Sequence, residues 1–328
     1  MPKNNNQKLK LLYIRQLLLK KSDEAHPVPV KEILSYLEQN SVPAERKSIY
    51  AGIEALRDFG MDILRKGGPN GGYYVGARDF ELAELKLLVD AVETSKFITE
   101  SKTFSLIERI ESLSSESQAK SIQRQGVVKN RIKTMDESIY YKVDELHAAI
   151  LQDRKIWFKY YEYAVDKTRV FRHNGAEYEV SPFALTLDAE NYYLVAYDSA
   201  AQMIKHFRVD KIAEIVITGS ARDSVAQFES LDLAAYAKSH FGMFTGEEQR
   251  VVLEFRNELI GAVIDRFGLD AVIIPGDAEH FRLHMDVAIS PQFFGWLCAC
   301  GDSARVVAPQ SVADAFDEHV WKIVKFYE

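Results

Sequence analysis

Cysteine is nearly missing. The chain has Cys298 and Cys300 in 328 residues, two apart in an apolar segment, which excludes a disulfide framework and a zinc site made by them alone. Buried, reduced thiols are the expected state. Long apolar runs are missing too: no stretch approaches the roughly 18 residues of a spanning helix. The first residues, MPKNNNQKLK, lack the apolar core and cleavage site of a signal peptide, so a cytoplasmic location is expected. Catalytic signatures are also lacking. There is no G-x-x-x-x-G-K-[ST], G-x-G-x-x-G, G-x-S-x-G or H-E-x-x-H, and no nucleophile with a matched base, so no enzyme and no cofactor is expected.

Positive charge is outnumbered overall, 41 Lys/Arg against 48 Asp/Glu for a net charge of −7, yet it is unevenly placed. Residues 1–76 hold twelve Lys/Arg against eight Asp/Glu, and the remainder holds 29 against 40. A basic head on an acidic body is the asymmetry expected when one module meets phosphate. With 47% hydrophobic residues the chain can bury several cores, and its length suggests two or three domains.

In residues 1–76, three segments carry apolar residues at helical spacing: LKLLYIRQLLLKK, VKEILSYLEQN and AERKSIYAGIEALRDFG. In the third, Ile49, Ile53 and Leu56 share a face. Lys47, Tyr50, Ala51 and Glu54 then point away, with Arg46 and Ser48 near the helix start. Cations and hydroxyls at that end suit phosphate oxygens and base edges in a major groove. In MDILRKGGPNGGYYV, two short strands pair across a glycine-rich loop, and Arg65 and Lys66 at its base can reach a backbone phosphate. This head resembles the winged helix-turn-helix of bacterial transcriptional regulators, with Ala51 and Gly52 where an Arg-Asp pair is often seen.

Residues 77–138 read as a helical connector. FELAELKLLVDAVETSKF and TFSLIERIESL have helical spacing, whereas SSESQAKSIQRQ is polar. Such amphipathic connectors pack together within the chain or against a second copy. From residue 139 to 224 the period changes. After one helix, VDELHAAILQ, come five strand-like runs: IWFKYYEY, YEVSPFALTL, NYYLVAY, MIKHFRV and IAEIVITG, a small barrel or strongly bent sheet. On the fourth, period two places Ile204, His206 and Arg208 on one face. With Lys211 beyond and Tyr192 or Tyr193 on the paired strand, they form a candidate ligand site: arginine as a fork for phosphate or carboxylate, tyrosine as a stacking surface. The alternative is that both cations pair with neighbours such as Asp210 or Glu190.

NYYL, Asn191 to Leu194, resembles the Trp-Tyr-Leu signature of the WYL domain, with Tyr192 in the tryptophan's place. SPFALTL and HFRVDKI are similar to its flanking segments. The resemblance implies an Sm-like barrel that senses a ligand, nucleic acid or nucleotide, through Tyr192, Tyr193, Leu194, His206, Arg208 and Lys211. No arginine precedes Pro182, where many members have one; Arg169 or Arg172 are the candidates to replace it. Residues 245–328 alternate strand and helix as βαββαβ, the ferredoxin-like plan, and look like the C-terminal extension found behind WYL domains, to which dimerisation or ligand sensing is assigned. There His280, Arg282 and His284 share a strand face, but no third ligand follows, so no metal site is expected.

The fold class expected is therefore multidomain α+β: winged helix-turn-helix, helical connector, Sm-like barrel and ferredoxin-like C-terminal domain. The function expected is a homodimeric transcriptional regulator that binds double-stranded DNA through its head. A single-stranded nucleic acid or nucleotide acting on the barrel would control it, with no membrane partner. The competing readings are a single-stranded nucleic-acid binding module and, further off, an enzyme acting on nucleotides.

Overall fold

A computed structural model describes residues 9–123, 133–134, 136–188, 190–223, 228, 236 and 239–328. Residues 1–8, where no signal peptide is read, lie outside the described residues, as do Arg124 and Gln125 of the polar stretch and Ala189 of the DAEN turn. The chain divides into two units, residues 1–137 and 138–328.

The first unit begins with α1 (Lys10–Lys21), α2 (Val30–Gln39) and α3 (Arg46–Asp58), followed by an antiparallel hairpin of β1 (Ile63–Lys66) and β2 (Gly72–Val75). Their apolar stripes meet in one core: Ile14, Leu17 and Leu18 from α1, Ile33 and Leu37 from α2, Ile49, Ile53 and Leu56 from α3. Ile63, Tyr73 and Val75 close it from the hairpin side. Two glycines are fixed by close approach. A Cβ on Gly52 would stand 3.1 Å from Ile14 of α1, so glycine lets the two helices pack. On Gly72 it would stand 2.4 Å from the Val28 backbone, which bridges Tyr73 and brings the α1–α2 turn against the hairpin.

Three further helices follow, α4 (Leu82–Thr94), α5 (Glu100–Glu111) and α6 (Glu116–Gln123). The sequence pattern misses α6, because only Ile122 of this polar segment enters the small core with Leu85 and Val89. Its start was nonetheless written in S-x-x-Q. Gln118 N donates to Ser115 Oγ (3.1 Å), and Ser115 N donates to Gln118 Oε1 (3.3 Å), a reciprocal cap that satisfies two otherwise orphaned donors.

The head core and the connector core are separate clusters, and the seam between them is polar. Ser115 Oγ donates to the buried Asp23 carboxylate at 2.5 Å, Arg78 donates to the carbonyls of Leu19 and Ser22 at 2.7 and 2.8 Å, and Lys20 faces Glu116 at 3.5 Å. Burial raises the Asp23 carboxyl, but the hydrogen bonds from Ser115 and His26 outweigh it and hold Asp23 below the usual carboxylate range.

The second unit opens with α7 (Ile139–Leu151), which packs on a bent sheet. The sheet comprises β3 (Arg154–Tyr163), β4 (Arg169–Phe171), β5 (Tyr178–Asp188), β6 (Asn191–Asp198), β7 (Met203–Arg208) and β8 (Ile212–Ala221). All neighbouring pairs are antiparallel, in the order β4-β3-β5-β6-β7, with β8 on β3. Bulges within β3 and at Pro182/Ala184 of β5 bend these strands. The three residues of β4 are too few to show a period, so this sixth strand is absent from the sequence pattern.

The unit ends with β9 (Glu248–Arg256), α8 (Ile260–Phe267), β10 (Val272–Pro275), β11 (His280–Ala288), α9 (Pro291–Ala299), β12 (Ala304–Ala308) and α10 (Gln310–Tyr327). The four strands are antiparallel, ordered β10-β11-β9-β12. Val251, Leu253 and Phe255 alternate inward from β9 against Val263, Phe267, Phe293 and Leu297 of the helices. The cysteines depart from expectation. Cys298 is exposed and Cys300 half-buried, because Phe293, Phe294 and Leu297 occupy the inner stripe of α9 and turn Cys298 outward. His280 takes Asp277 at 2.8 Å as its partner.

Candidate functional site

Two sets of residues singled out in the sequence lie in different units. In the head, Arg46, Lys47, Tyr50, Ala51 and Glu54 are exposed on α3, opposite buried Ile49, Ile53 and Leu56. Arg46 Nε donates to the Tyr50 hydroxyl at 2.9 Å, which lays the guanidinium along the outer face of the helix. Ser48 is half-buried and accepts from Lys10 Nζ at 2.5 Å, so it links α3 to α1. Arg65 and Lys66 are exposed at the hairpin base, where Lys66 Nζ donates to the Glu24 carbonyl at 2.9 Å.

In the bent sheet, β6 and β7 pair so that Tyr193 faces Arg208 and Val195 faces His206. Arg208 is forked onto Asp210, with Nε and Nη2 at 3.0 and 2.8 Å, and Nη2 also reaches Asn191 Oδ1 at 2.8 Å. The pairing with Asp210 weighed in the sequence is thus present. It also pre-orients the guanidinium, because a fork held on one side keeps its remaining N–H donors in a fixed plane. The Arg208 backbone N–H donates to the Tyr160 hydroxyl at 3.2 Å. Burial pushes Tyr160 up to about 12, with Arg172 and Arg208 pulling it down.

Arg172 lies 5.3 Å from the centroid of the Tyr160 ring and pairs with Glu162, whose carboxyl it holds below the usual range. Lys211 adds a further positive field at Glu162 from the single 3-10 turn Val209–Lys211. The cluster therefore joins Arg172 and Arg208 at Tyr160, with Tyr193 opposite Arg208, Lys211 near Glu162, and Glu162 and Asp210 as counter-charges. Burial raises the Tyr193 hydroxyl, so it remains a neutral donor. Tyr192 is half-buried on the strand neighbouring Leu187. Arg172 is one of the two arginines named as replacements for the one lacking before Pro182. Tyr160 was missed, since nothing in IWFKYYEY separates it from its aromatic neighbours.

His206 turns elsewhere. Its Nε2 lies 3.0 Å from the Tyr236 hydroxyl, and its ring packs against His240 at a 5.3 Å centroid distance. His240 Nδ1 in turn sits 2.9 Å from the Tyr236 carbonyl and 3.9 Å from Glu248, at the start of β9. His206 thus connects the bent sheet to the segment leading into the C-terminal sheet. Burial first, then the neighbouring His240, lowers its pKa to about 4 from an ordinary value of 6.5. Since the unfolded chain protonates first, stability conferred by neutral His206 is whole above pH 6.5 and declines down to about 4, by about 3 kcal/mol. Melting temperatures of the wild type should fall across that window, and His206→Phe should flatten the fall. An equal fall in both would place the acid sensitivity in other groups.

A model of the WYL domain matches residues 142–217, which contain Tyr160, Arg172, Tyr193, Arg208 and Lys211. The chain carries a WYL domain. A WCX domain model matches residues 247–323 behind it. No curated protein matches the sequence. Among solved structures, the chain is similar to proteasome accessory factor B/C (PafBC) of Arthrobacter aurescens, at 15% identity and a TM-score of 0.30. That match covers 100% of this chain and 51% of the other, so the chain spans about half the length of PafBC. It is also similar to a protein described as CRISPR Cas-related, at 12% identity and a TM-score of 0.36, over 75% of this chain and 71% of that one. Among the described residues, no helix is long and apolar enough to cross a membrane.

Proposed function

We propose that this WYL-domain protein is a cytoplasmic, homodimeric transcriptional regulator rather than an enzyme. Its head, residues 1–76, is read as a winged helix-turn-helix that binds duplex DNA, with α3 as the recognition helix and β1–β2 as the wing. Residues 77–138 are the connector, with dimerisation as a candidate role. Residues 139–224 are an Sm-like barrel, a reading supported by the β7-β6-β5-β3-β8 neighbour order. Residues 245–328 are a ferredoxin-like domain, supported by the all-antiparallel β10-β11-β9-β12 order.

The observation that carries the DNA reading is the outer face of α3. Arg46, Lys47 and Tyr50 are exposed together at the N-terminal end of a helix whose opposite face is wholly buried. The ligand reading is carried by Arg172 and Arg208 beside Tyr160 and Tyr193, with Lys211 adding positive field at Glu162, since guanidinium forks beside aromatic rings suit a phosphate-bearing, base-bearing molecule. That ligand, a single-stranded nucleic acid or a nucleotide, would bias the DNA affinity of the head.

The test passes sheared duplex genomic DNA over the purified full chain at near-physiological salt, sequences what is retained, and repeats this with excess single strands present. Enrichment of a few sites with two-fold symmetry, altered by the single strands, is the expected result. Retention without sequence preference would overturn the regulator reading and favour a plain binding module.

A further inference from the structure

Between Tyr160 and Tyr178 the chain forms a hairpin at the β4 edge of the bent sheet, past the β3–β5 pairing. Beyond the β5 pairing at Ile156–Phe158, β3 runs on and pairs β4 instead, with Tyr161 opposite Phe171 and Tyr163 opposite Arg169. Those four residues share one face. Tyr161 is the buried floor, its ring 5.7 Å from Tyr163 and 6.2 Å from Phe171, with the Arg169 guanidinium 4.7 Å from its centroid. Above the floor, Tyr163 is 56% exposed and Phe171 36%. Large rings held half out of water around a guanidinium lack a folding reason, because the hairpin tip gains no core by keeping them there.

The backbone past the hairpin is strained to match. His173 and Asn174 both adopt left-handed conformations, φ 52° and 55°, in the turn that holds Arg172 against Tyr160. Two consecutive non-glycine residues there each carry a cost that the surroundings must hold in place, and such strain gathers at ligand clamps.

Both faces of this hairpin reach the segment that carries Arg208. Tyr160 accepts from the Arg208 backbone, and the Tyr161 hydroxyl donates to the Asp210 carbonyl at 2.7 Å. From Tyr161 to Tyr163, where β3 ends, the strand extends about 7 Å at roughly 3.3 Å per residue. A single nucleotide seated at Arg208 would leave that length unused.

We propose that the 161–171 hairpin is a finger that extends the Arg208 site along a single-stranded nucleic acid several nucleotides long. Tyr163 and Phe171 stack under bases, and Arg169 with Lys167 at the turn meets phosphates. The inference rests on the ligand reading above and narrows it, from nucleotide or nucleic acid to an oligonucleotide.

The test is fluorescence anisotropy of the full chain with labelled oligo(dT) and oligo(rU), from the dinucleotide to about twelve nucleotides, within the range of site sizes known for small barrels. In at least one series the affinity should climb about tenfold or more between two and about eight nucleotides, roughly one well-stacked base. Tyr163→Ala with Phe171→Ala should abolish the climb and leave dinucleotide binding unchanged. Arg169→Gln, which keeps both rings, should reduce it. Flat series with dinucleotide binding intact, or a climb that survives the ring substitutions, would overturn the finger alone. Failure of the wild type to bind any probe would overturn the ligand reading with it.

Discussion

With Arg46 and Lys47 both replaced by alanine, the full chain should bind duplex DNA at least tenfold more weakly at near-physiological salt. The plot of log affinity against log salt should also become shallower by about 1.8, since each lost phosphate contact removes roughly 0.9 from the slope. The head should survive the change. Both residues are exposed, alanine is the better helix former, and the face that holds α3 in place, Ile49, Ile53 and Leu56, is untouched. Two measurements separate the possible roles. Weaker binding with an unchanged slope would mean that the two cations read bases rather than phosphates. Unchanged affinity and slope would remove α3 from the interface, and with it the main support for DNA recognition by the head.

Phe158→Ala should cost about 3–5 kcal/mol, the range for truncating a fully buried aromatic. Phe158 has no exposed surface. Its ring stacks on Tyr178 of β5 at 5.6 Å and meets the edge of Phe207 of β7 at 5.0 Å, so one side chain ties three strands together. Denaturant unfolding followed by near-ultraviolet circular dichroism would register the loss as a lower midpoint. Tyr163→Ala, on the same strand but largely in water, should shift that midpoint little, by about 0.5 kcal/mol at most. A cost under about 1 kcal/mol for Phe158→Ala would mean that the ring is not the keystone of this sheet.

Elements with a strong period could be read directly from the sequence. The stripes of α1, α2 and α3 and the inward alternation of Val251, Leu253 and Phe255 in β9 each reflect burial on one side, and burial is what a period records. By contrast β5 and β6, buried on both sides over 180–183 and 194–198, were legible from their aromatic and β-branched composition. What escaped had little or no burial to record. The β4 strand is exposed at all three residues, and α6 is held by a reciprocal cap more than by an apolar stripe. The candidate site was half legible. Arg208, Tyr193 and Lys211 stood out by type and position, but the role of Tyr160 depends on a hydrogen bond from a residue 48 positions away. The period-two reading placed His206 and Arg208 on a common face. They nonetheless take different partners, His206 with Tyr236 and His240, Arg208 with Asp210 and Asn191.

The polar seam between head and connector has a thermodynamic signature of its own. Parting Asp23 from Ser115 and Arg78 from the carbonyls of Leu19 and Ser22 wets hydrogen-bonding groups and uncovers little hydrocarbon. Heat-capacity change and denaturant sensitivity both scale with newly wetted surface, so the head should swing free in a motion that urea hardly promotes and calorimetry hardly records. Amide exchange would reveal it as protection in the 22–26 turn and at the start of α6 that stays almost constant as urea rises, while the amides of the two flanking cores lose theirs in proportion.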